Sequence, residues 1–190
     1  MSQRARQPGK RGTMMLDEIL SSRPALTPVE PGQLRAVLSH FASGVVVITG
    51  RDQDGQPVGM TAQSFTSLSL DPPLILVCPS RTSTTWPRIS GRRFAVNVLA
   101  AGQHTVSAVF AKSGTDKFAD VEWQPGPNHL PLISGALAQL ECDLESVHPG
   151  GDHYIAVGRV LSLAAVDTES APLIFFRSRY WVNGPHPGNT

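Results

Sequence analysis

The sequence predicts a mainly β protein, an antiparallel β-barrel with a few peripheral helices, and three observations carry that expectation. Short apolar or alternating runs of strand length recur along the chain, at 45–49, 58–61, 74–78, 94–99, 138–144, 154–166 and 173–176. Few segments show the spacing of an amphipathic helix. No G-x-G-x-x-G follows a strand and no Walker-type phosphate loop is present, so a parallel sheet with a Rossmann nucleotide site is not expected.

Residues 1–29 are rich in Arg, Pro, Ser and Gly and predict a flexible extension, leaving one domain over 30–184 and a short tail at 185–190. A helix starts at Pro31, where proline suits a first turn; Leu34, Val37, Leu38 and Phe41 share one apolar face, and Gly44 ends it. The strands at 45–49 and 58–61 flank Asp54-Gly55, a hairpin signal. The strand at 74–78 runs into hydroxyl residues at Ser80 and 82–85 that open a second helix. A helix over 105–111, with Val106, Val109 and Phe110 on one side, plugs an open end of the barrel. Ala138, Leu140, Cys142 and Leu144 alternate with Gln139, Glu141, Asp143 and Glu145, which predicts a half-buried strand with one wet face. The run 154–166 is apolar on both faces, as in a central strand or one covered by a second chain. A last strand falls at 173–176.

Composition bounds the function. With 190 residues, 41% hydrophobic, the chain fits one compact domain with a real core. A net charge of +1 gives no general basic field, so nucleic acid is not an expected partner. No apolar run approaches the roughly 20 residues that cross a bilayer, and 1–13 is not followed by a signal-like apolar stretch, so the expected location is cytoplasmic, without membrane contact. Cys78 and Cys142 sit in apolar patterns as core residues, and His148 and His153 lack the companions of a metal site.

Chemistry concentrates in three places. Between two strands, 59–74 sets small residues and hydroxyls, Thr61, Ala62, Gln63, Ser64 and Ser67 among them, where backbone donors can meet the polar edge of a flat heteroaromatic ring. An edge strand with an Asp-Pro-Pro turn is the plain alternative. The turn with Arg81, Thr82 and Ser83 suits a phosphate, through hydroxyls, a helix N-terminus and a guanidinium, or is a simple helix cap. His153, after Gly151 and Asp152, opens a strand at a barrel rim and can stack on or hydrogen-bond to a nicotinamide, or merely follow an Asx turn. Asn97 needs a buried partner, which a ligand or backbone can supply, and Lys117 reaches a phosphate or sits in a surface turn.

The runs 41–49, 61–74, Thr82-Ser83, 94–99, Asp116-Lys117-Phe118 and Gly151-Asp152-His153, in this order, resemble the flavin reductase family. These are short-chain reductase components of two-component flavin-dependent monooxygenases, with an FMN-binding split-barrel fold, and the likeness spans about 34–182. The resemblance implies a homodimeric NAD(P)H:flavin oxidoreductase that supplies reduced flavin to a partner monooxygenase. Its cofactor is FMN or FAD, with NADH or NADPH as co-substrate; the lean to NADH comes from the residues themselves, since no paired arginines near 151–153 await a 2′-phosphate. It assigns Thr61, Ala62, Ser64 and Ser67 to the isoalloxazine and ribityl contacts, and Thr82 and Ser83 to the phosphate. Gly151, Asp152 and His153 fall at the nicotinamide site, with His153 positioning the ring, and Arg179 and Tyr180 lie near the nucleotide. Gln63, Arg81, Asn97 and Lys117 complete the expected cofactor contacts. A non-catalytic flavin carrier or sensor on the same barrel is the alternative; an oxidase of the pyridoxamine-phosphate type is disfavoured by the hydroxyl-rich run and the Gly-Asp-His.

Overall fold

A computed structural model describes residues 27–89, 93–114, 116–166 and 169–181, so the expected extension, apart from 27–29, and the tail lie outside the described residues. Contacts divide the chain after Leu38. The first unit holds helix α1 (Pro31–Leu38), on which no residue is buried. The helix stops three residues short of Phe41, and Gly44 lies in a strand, β1 (Ser43–Gly44), rather than ending a helix. Local pairing explains the early stop: the Ser39 carbonyl accepts the Arg177 N–H, and Ser43 and Gly44 ladder with β11 (Ile174–Phe176).

The second unit is built on a seven-stranded sheet. Its strands are β2 (Val46–Arg51), β3 (Pro57–Ala62), β4 (Phe65–Leu70), β5 (Pro73–Val77), β6 (Arg93–Val98), β9 (Ala138–Gly150) and β10 (His153–Ala165), in the order β3-β2-β6-β9-β10-β5-β4. Every ladder is antiparallel, so the two edge strands, β3 and β4, run in the same direction. They are also consecutive, joined only by Gln63 and Ser64. Laid flat, seven strands at about 4.8 Å spacing would hold their edges roughly 29 Å apart, whereas a two-residue link spans about 11 Å. The sheet must therefore curl on itself, and one bent strand carries both of its edges. Extra residues at Leu68, Glu145 and Leu161 interrupt the ladders as bulges and add curvature.

The expected hairpin forms as β2–β3, with Asp52 Oδ1 accepting the Asp54 and Gln56 N–H groups. Strand β2 is buried on both faces and divides its valines by period two. Val46 and Ile48 join Ile75, Val77, Phe94, Val96 and Cys142 in one cluster, where burial pushes the Cys142 thiol up to about 12. Val45 and Val47 join Leu99, Phe110, Ile133 and Leu173 in another. The expected helix is α2 (His104–Ala111), whose Phe110 fills that second cluster. A small hairpin, β7 (Trp123–Pro125) with β8 (Pro131–Ile133), and the sheet β1-β11-β12, with β12 over Arg179–Trp181, complete the unit. Among the described residues no helix is long and apolar enough to cross a membrane.

Buried polar networks bear on two expectations. The wet face of β9 is dry in its first half: Gln139 donates to the Ile133 carbonyl, and Glu141, 1% exposed, accepts the Asn128 and Leu130 N–H groups and the Ser162 hydroxyl. The loop after β7 covers that face because the Glu141 carboxylate satisfies its amides. Asn97, expected to need a buried partner, finds its partners within the protein. Fully buried, it donates to the Val47 carbonyl and Thr49 Oγ1 and accepts the Ile133 N–H at 2.8 Å, while Thr49 donates to the Pro131 carbonyl. It fastens β8 to the barrel. Asn97→Leu is expected to cost about 2 to 4 kcal/mol in urea unfolding, because it strands the buried Ile133 N–H and removes a donor from the Val47 carbonyl and the Thr49 oxygen. Flavin affinity of the folded variant should be unchanged; an affinity loss with full stability would make Asn97 a ligand.

Candidate functional site

The site lies where β3 hands over to β4. A cavity of about 640 Å³ opens there, lined by Met60, Thr61, Ala62, Gln63 and Ser64 from the bend and by Cys78 and Pro79 from the end of β5. Ser64 fixes the bend, since its hydroxyl donates to the Cys78 carbonyl and accepts the Cys78 N–H. Thr61 is fixed from the other side by donating to the Ser107 carbonyl of α2. Ser67, expected with this group, is exposed beside the Leu68 bulge and does not line the cavity.

The hydroxyl turn forms the next wall, with Ser80, Thr82, Ser83, Thr84 and Thr85 all lining it. Among the described residues the helix expected to follow is absent. Only a three-residue 3₁₀ turn, Trp86–Arg88, succeeds it, because Ile89 turns extended and packs onto the barrel cluster. A helix of fewer than two turns supplies little dipole, so the turn's own groups remain: Ser83 Oγ accepts the Thr85 and Trp86 N–H groups, and the Ser80 and Thr82 hydroxyls pair at 2.8 Å. Arg81 is also displaced from its expected role. Its guanidinium stacks on the Tyr154 ring at 4.9 Å and is not part of the cavity wall.

The fixed charge in the wall is Lys117. It is not in a surface turn but 9% exposed, its ammonium donating to the Gly59 carbonyl at 2.9 Å and the Phe110 carbonyl at 3.1 Å. The second bond satisfies a carbonyl in the last turn of α2, where a cation is favoured. Glycine at 59 is required, since a Cβ there would stand 2.6 Å from the Phe110 ring. Burial holds the Lys117 amine below its ordinary value, with Arg88 adding to the effect. An ammonium has three donors, so one N–H remains for whatever the cavity holds. Lys117, Thr84, Thr85 and Ser113 also border a second cavity of about 770 Å³ that reaches Arg88 and Gln56. There Arg88 pairs with Asp52 at 2.8 Å and holds its carboxyl below the usual range.

His153 completes the wall from the β9–β10 turn. Gly151, at φ 71°, takes the first position of a two-residue turn, the glycine that a type II′ hairpin calls for. Asp152 Oδ1 lies 2.8 Å from His153 Nδ1. With that nitrogen bound to a carboxylate, Nε2 is the one left for a ligand. Gly151 and Asp152 themselves do not line the cavity. Tyr180 does, from β12, with its hydroxyl 2.9 Å from Ser107 Oγ and its ring edge-on to Phe175, whereas Arg179 does not. Sequence reasoning missed β12, whose hairpin turn uses Arg177 and Ser178 at φ 48° and 61° in place of the usual glycine or asparagine. It also missed Met60, Cys78, Phe110 and Phe175 as cavity residues, since an apolar pattern does not separate core from pocket lining.

The wall thus combines small hydroxyls, one tethered ammonium, a histidine and aromatic sides, in a volume suited to a cofactor-sized molecule. These donors fit a flat ring with a polar edge and an anionic tail. A family model described as the flavin reductase like domain matches residues 38–182. The chain is 46% identical over 167 residues to the reductase subunit HsaB of a flavin-dependent monooxygenase from Rhodococcus jostii, covering 87% of this chain and 84% of that protein. It is 42% identical over 153 residues to a flavin reductase of Pseudomonas putida, covering 80% and 89%. Among solved structures, the NADH:FAD oxidoreductase SgcE6 of Streptomyces globisporus, in complex with NAD and FAD fragments, superposes with a TM-score of 0.77 at 37% identity, covering 86% of this chain and 100% of that one. The fold, the cavity and the match over most of the chain agree: this protein belongs to the flavin reductase like domain family.

Proposed function

We propose that this chain is an NAD(P)H:flavin oxidoreductase that supplies reduced FMN or FAD to a separate flavin-dependent monooxygenase. The observation that carries the proposal is one cavity walled by the bend hydroxyls, the Lys117 ammonium and His153. Thr61, Ala62, Gln63 and Ser64 would hold the ring edge; Thr82, Ser83 and the spare N–H of Lys117 would hold the phosphate end. A flavin held there would supply the hydride acceptor, so the protein itself needs no acid or nucleophile, only alignment. His153, its Nδ1 held by Asp152, presents Nε2 to the nicotinamide side, and Tyr180 lines the same cavity. NADH is the preferred donor in this reading, and the protein acts in the cytoplasm.

Mixing the protein with excess flavin and NADH should bleach the flavin band rapidly; binding without bleaching would make the protein a carrier. His153→Ala should raise the KM for NADH and lower kcat/KM by about tenfold to a hundredfold, as expected for a positioning contact, with flavin affinity intact. Equal loss of flavin binding would sink the assignment. Lys117→Met should weaken FMN about tenfold while sparing riboflavin, since the phosphate alone rewards the charge; matched losses would reduce Lys117 to a tether of α2.

The proposal includes a homodimer. Val157 is buried within its own chain, but Val147, Ile155, Leu161 and Leu163 of the β9–β10 hairpin and Val166 just after it are exposed, Leu163 by 72%. This much exposed apolar side chain along one hairpin favours a partner. Light scattering should therefore give twice the 20.3 kDa chain mass, and Leu163→Asp should halve it. An active wild-type monomer at micromolar concentration would rule the dimer out.

A further inference from the structure

The turn that presents His153 has little packing of its own. A Cβ at Gly151 would meet nothing within 4 Å, and the Asp152 side chain is 94% exposed. What holds the turn is its neighbour, the turn at the end of β5. Arg81 N–H donates to the Asp152 carbonyl and Tyr154 N–H to the Pro79 carbonyl, each at 2.9 Å, and Ser80 pairs with His153 as an isolated antiparallel bridge. The side-chain component is the Arg81 guanidinium lying on the Tyr154 ring at 4.9 Å. No carboxylate pairs with Arg81 among the described residues. Its charge is spent on the ring face.

We propose that Arg81 is a positioning residue: by stacking on Tyr154 it straps the 151–154 turn to the 79–81 turn and sets where His153 stands at the cavity wall. The proposal rests on the assignment of His153 to the nicotinamide. The same strap joins both halves of the site, because the 79–81 turn leads directly into Thr82 and Ser83. A shift of the His153 turn relative to the hydroxyl turn changes the offset between the two bound molecules, and alignment of this kind is steeply distance-dependent. Guanidinium suits the role because it is planar and lies flat on an aromatic face, which a lysine ammonium does less well. The main-chain rungs do not depend on the side chain, so replacing Arg81 loosens the strap without removing the turn.

The test compares Arg81→Met, Arg81→Lys and Tyr154→Leu with His153→Ala and with the double variant Arg81→Met/His153→Ala. Readouts are KM and kcat for NADH, direct titration of FMN, of riboflavin and of NAD⁺, and the NMR resonances of the His153 ring. Arg81→Met and Tyr154→Leu should each raise the KM for NADH about fivefold, weaken NAD⁺ in proportion and broaden or shift the His153 signals. Change in kcat should be far smaller, and FMN and riboflavin affinities should stay within twofold of wild type. Arg81→Lys should recover part of the loss. In the His153→Ala background Arg81→Met should add nothing. An FMN loss that spares riboflavin would make Arg81 a phosphate ligand and overturn the strap. Full additivity of the two substitutions, or unmoved His153 resonances, would also overturn it. An unchanged KM in His153→Ala alone would remove the underlying assignment and the strap with it, whereas a raised KM there with wild-type behaviour in Arg81→Met would remove the strap only.

Discussion

The structure depends on a length constraint at Gln63 and Ser64. Two residues join the outermost strands of a seven-stranded sheet, so the sheet has to close on itself, and the closure is made by covalent chain where a ladder would otherwise be. A ladder at that seam would pair its backbone groups; a bend turns them toward the gap. Backbone polar groups at such a place need partners, and Ser64 serves the first of them by bonding both backbone groups of Cys78. The cavity is a consequence of the closure. It requires no separate device, which is why the cavity-lining residues Met60 to Ser64 are the end of β3 and the two-residue link, with small or flexible side chains.

Buried polar groups then hold the surrounding pieces in place. Lys117 joins the end of α2 to β3, Asn97 joins β8 to β2 and β6, and Glu141 holds the loop that follows β7. Each side chain uses several of its donors or acceptors, so none is left as an isolated buried charge or dipole. Such networks favour one arrangement over near alternatives, because a shifted element would strand every bond at once. For Lys117 the structural duty and the proposed chemical one coexist: tethering spends two N–H groups and fixes the third.

What was legible in the sequence followed from periodicity and turn chemistry. The Asp54-Gly55 hairpin, the strand at 74–78 and the α2 helix needed only local signals, and each is present. The errors share a cause. The polar residues Gln139 and Glu141 alternate as a solvent-facing row would, and nothing local says that the segment 128–133 supplies the N–H groups Glu141 accepts and the carbonyl Gln139 donates to. The helix expected after Ser83 failed for the same kind of reason, since packing of Ile89 onto the barrel outweighed a hydroxyl cap. Lys117 was open between two roles because its burial depends on Gly59 and Phe110, which only the fold brings together. At the candidate site, the hydroxyl rows were visible, but the division between Arg81 and Lys117 was not, as both are cations near the right motifs.

That division bears on how firmly the site would hold a flavin. With Arg81 turned away onto Tyr154 and no full helix behind Ser83 among the described residues, the proposed phosphate end offers hydroxyls, amides and one tethered ammonium. Charge-assisted bonds are the strong ones, and of the two lysines in this wall only Lys117 is held in place, Lys112 being exposed. The turn's hydroxyls are also partly spent on one another and on nearby amides, as in the Ser80–Thr82 pair and the Ser83 cap. A resident prosthetic group would call for more. A protein proposed to reduce flavin and pass it on gains from the opposite balance, with donors enough to orient the ring and phosphate during hydride transfer and too few to prevent release. In that reading Arg81 does more for the reaction at the nicotinamide turn than it would at the phosphate, because precise placement accelerates transfer while tighter binding of the flavin would slow its departure.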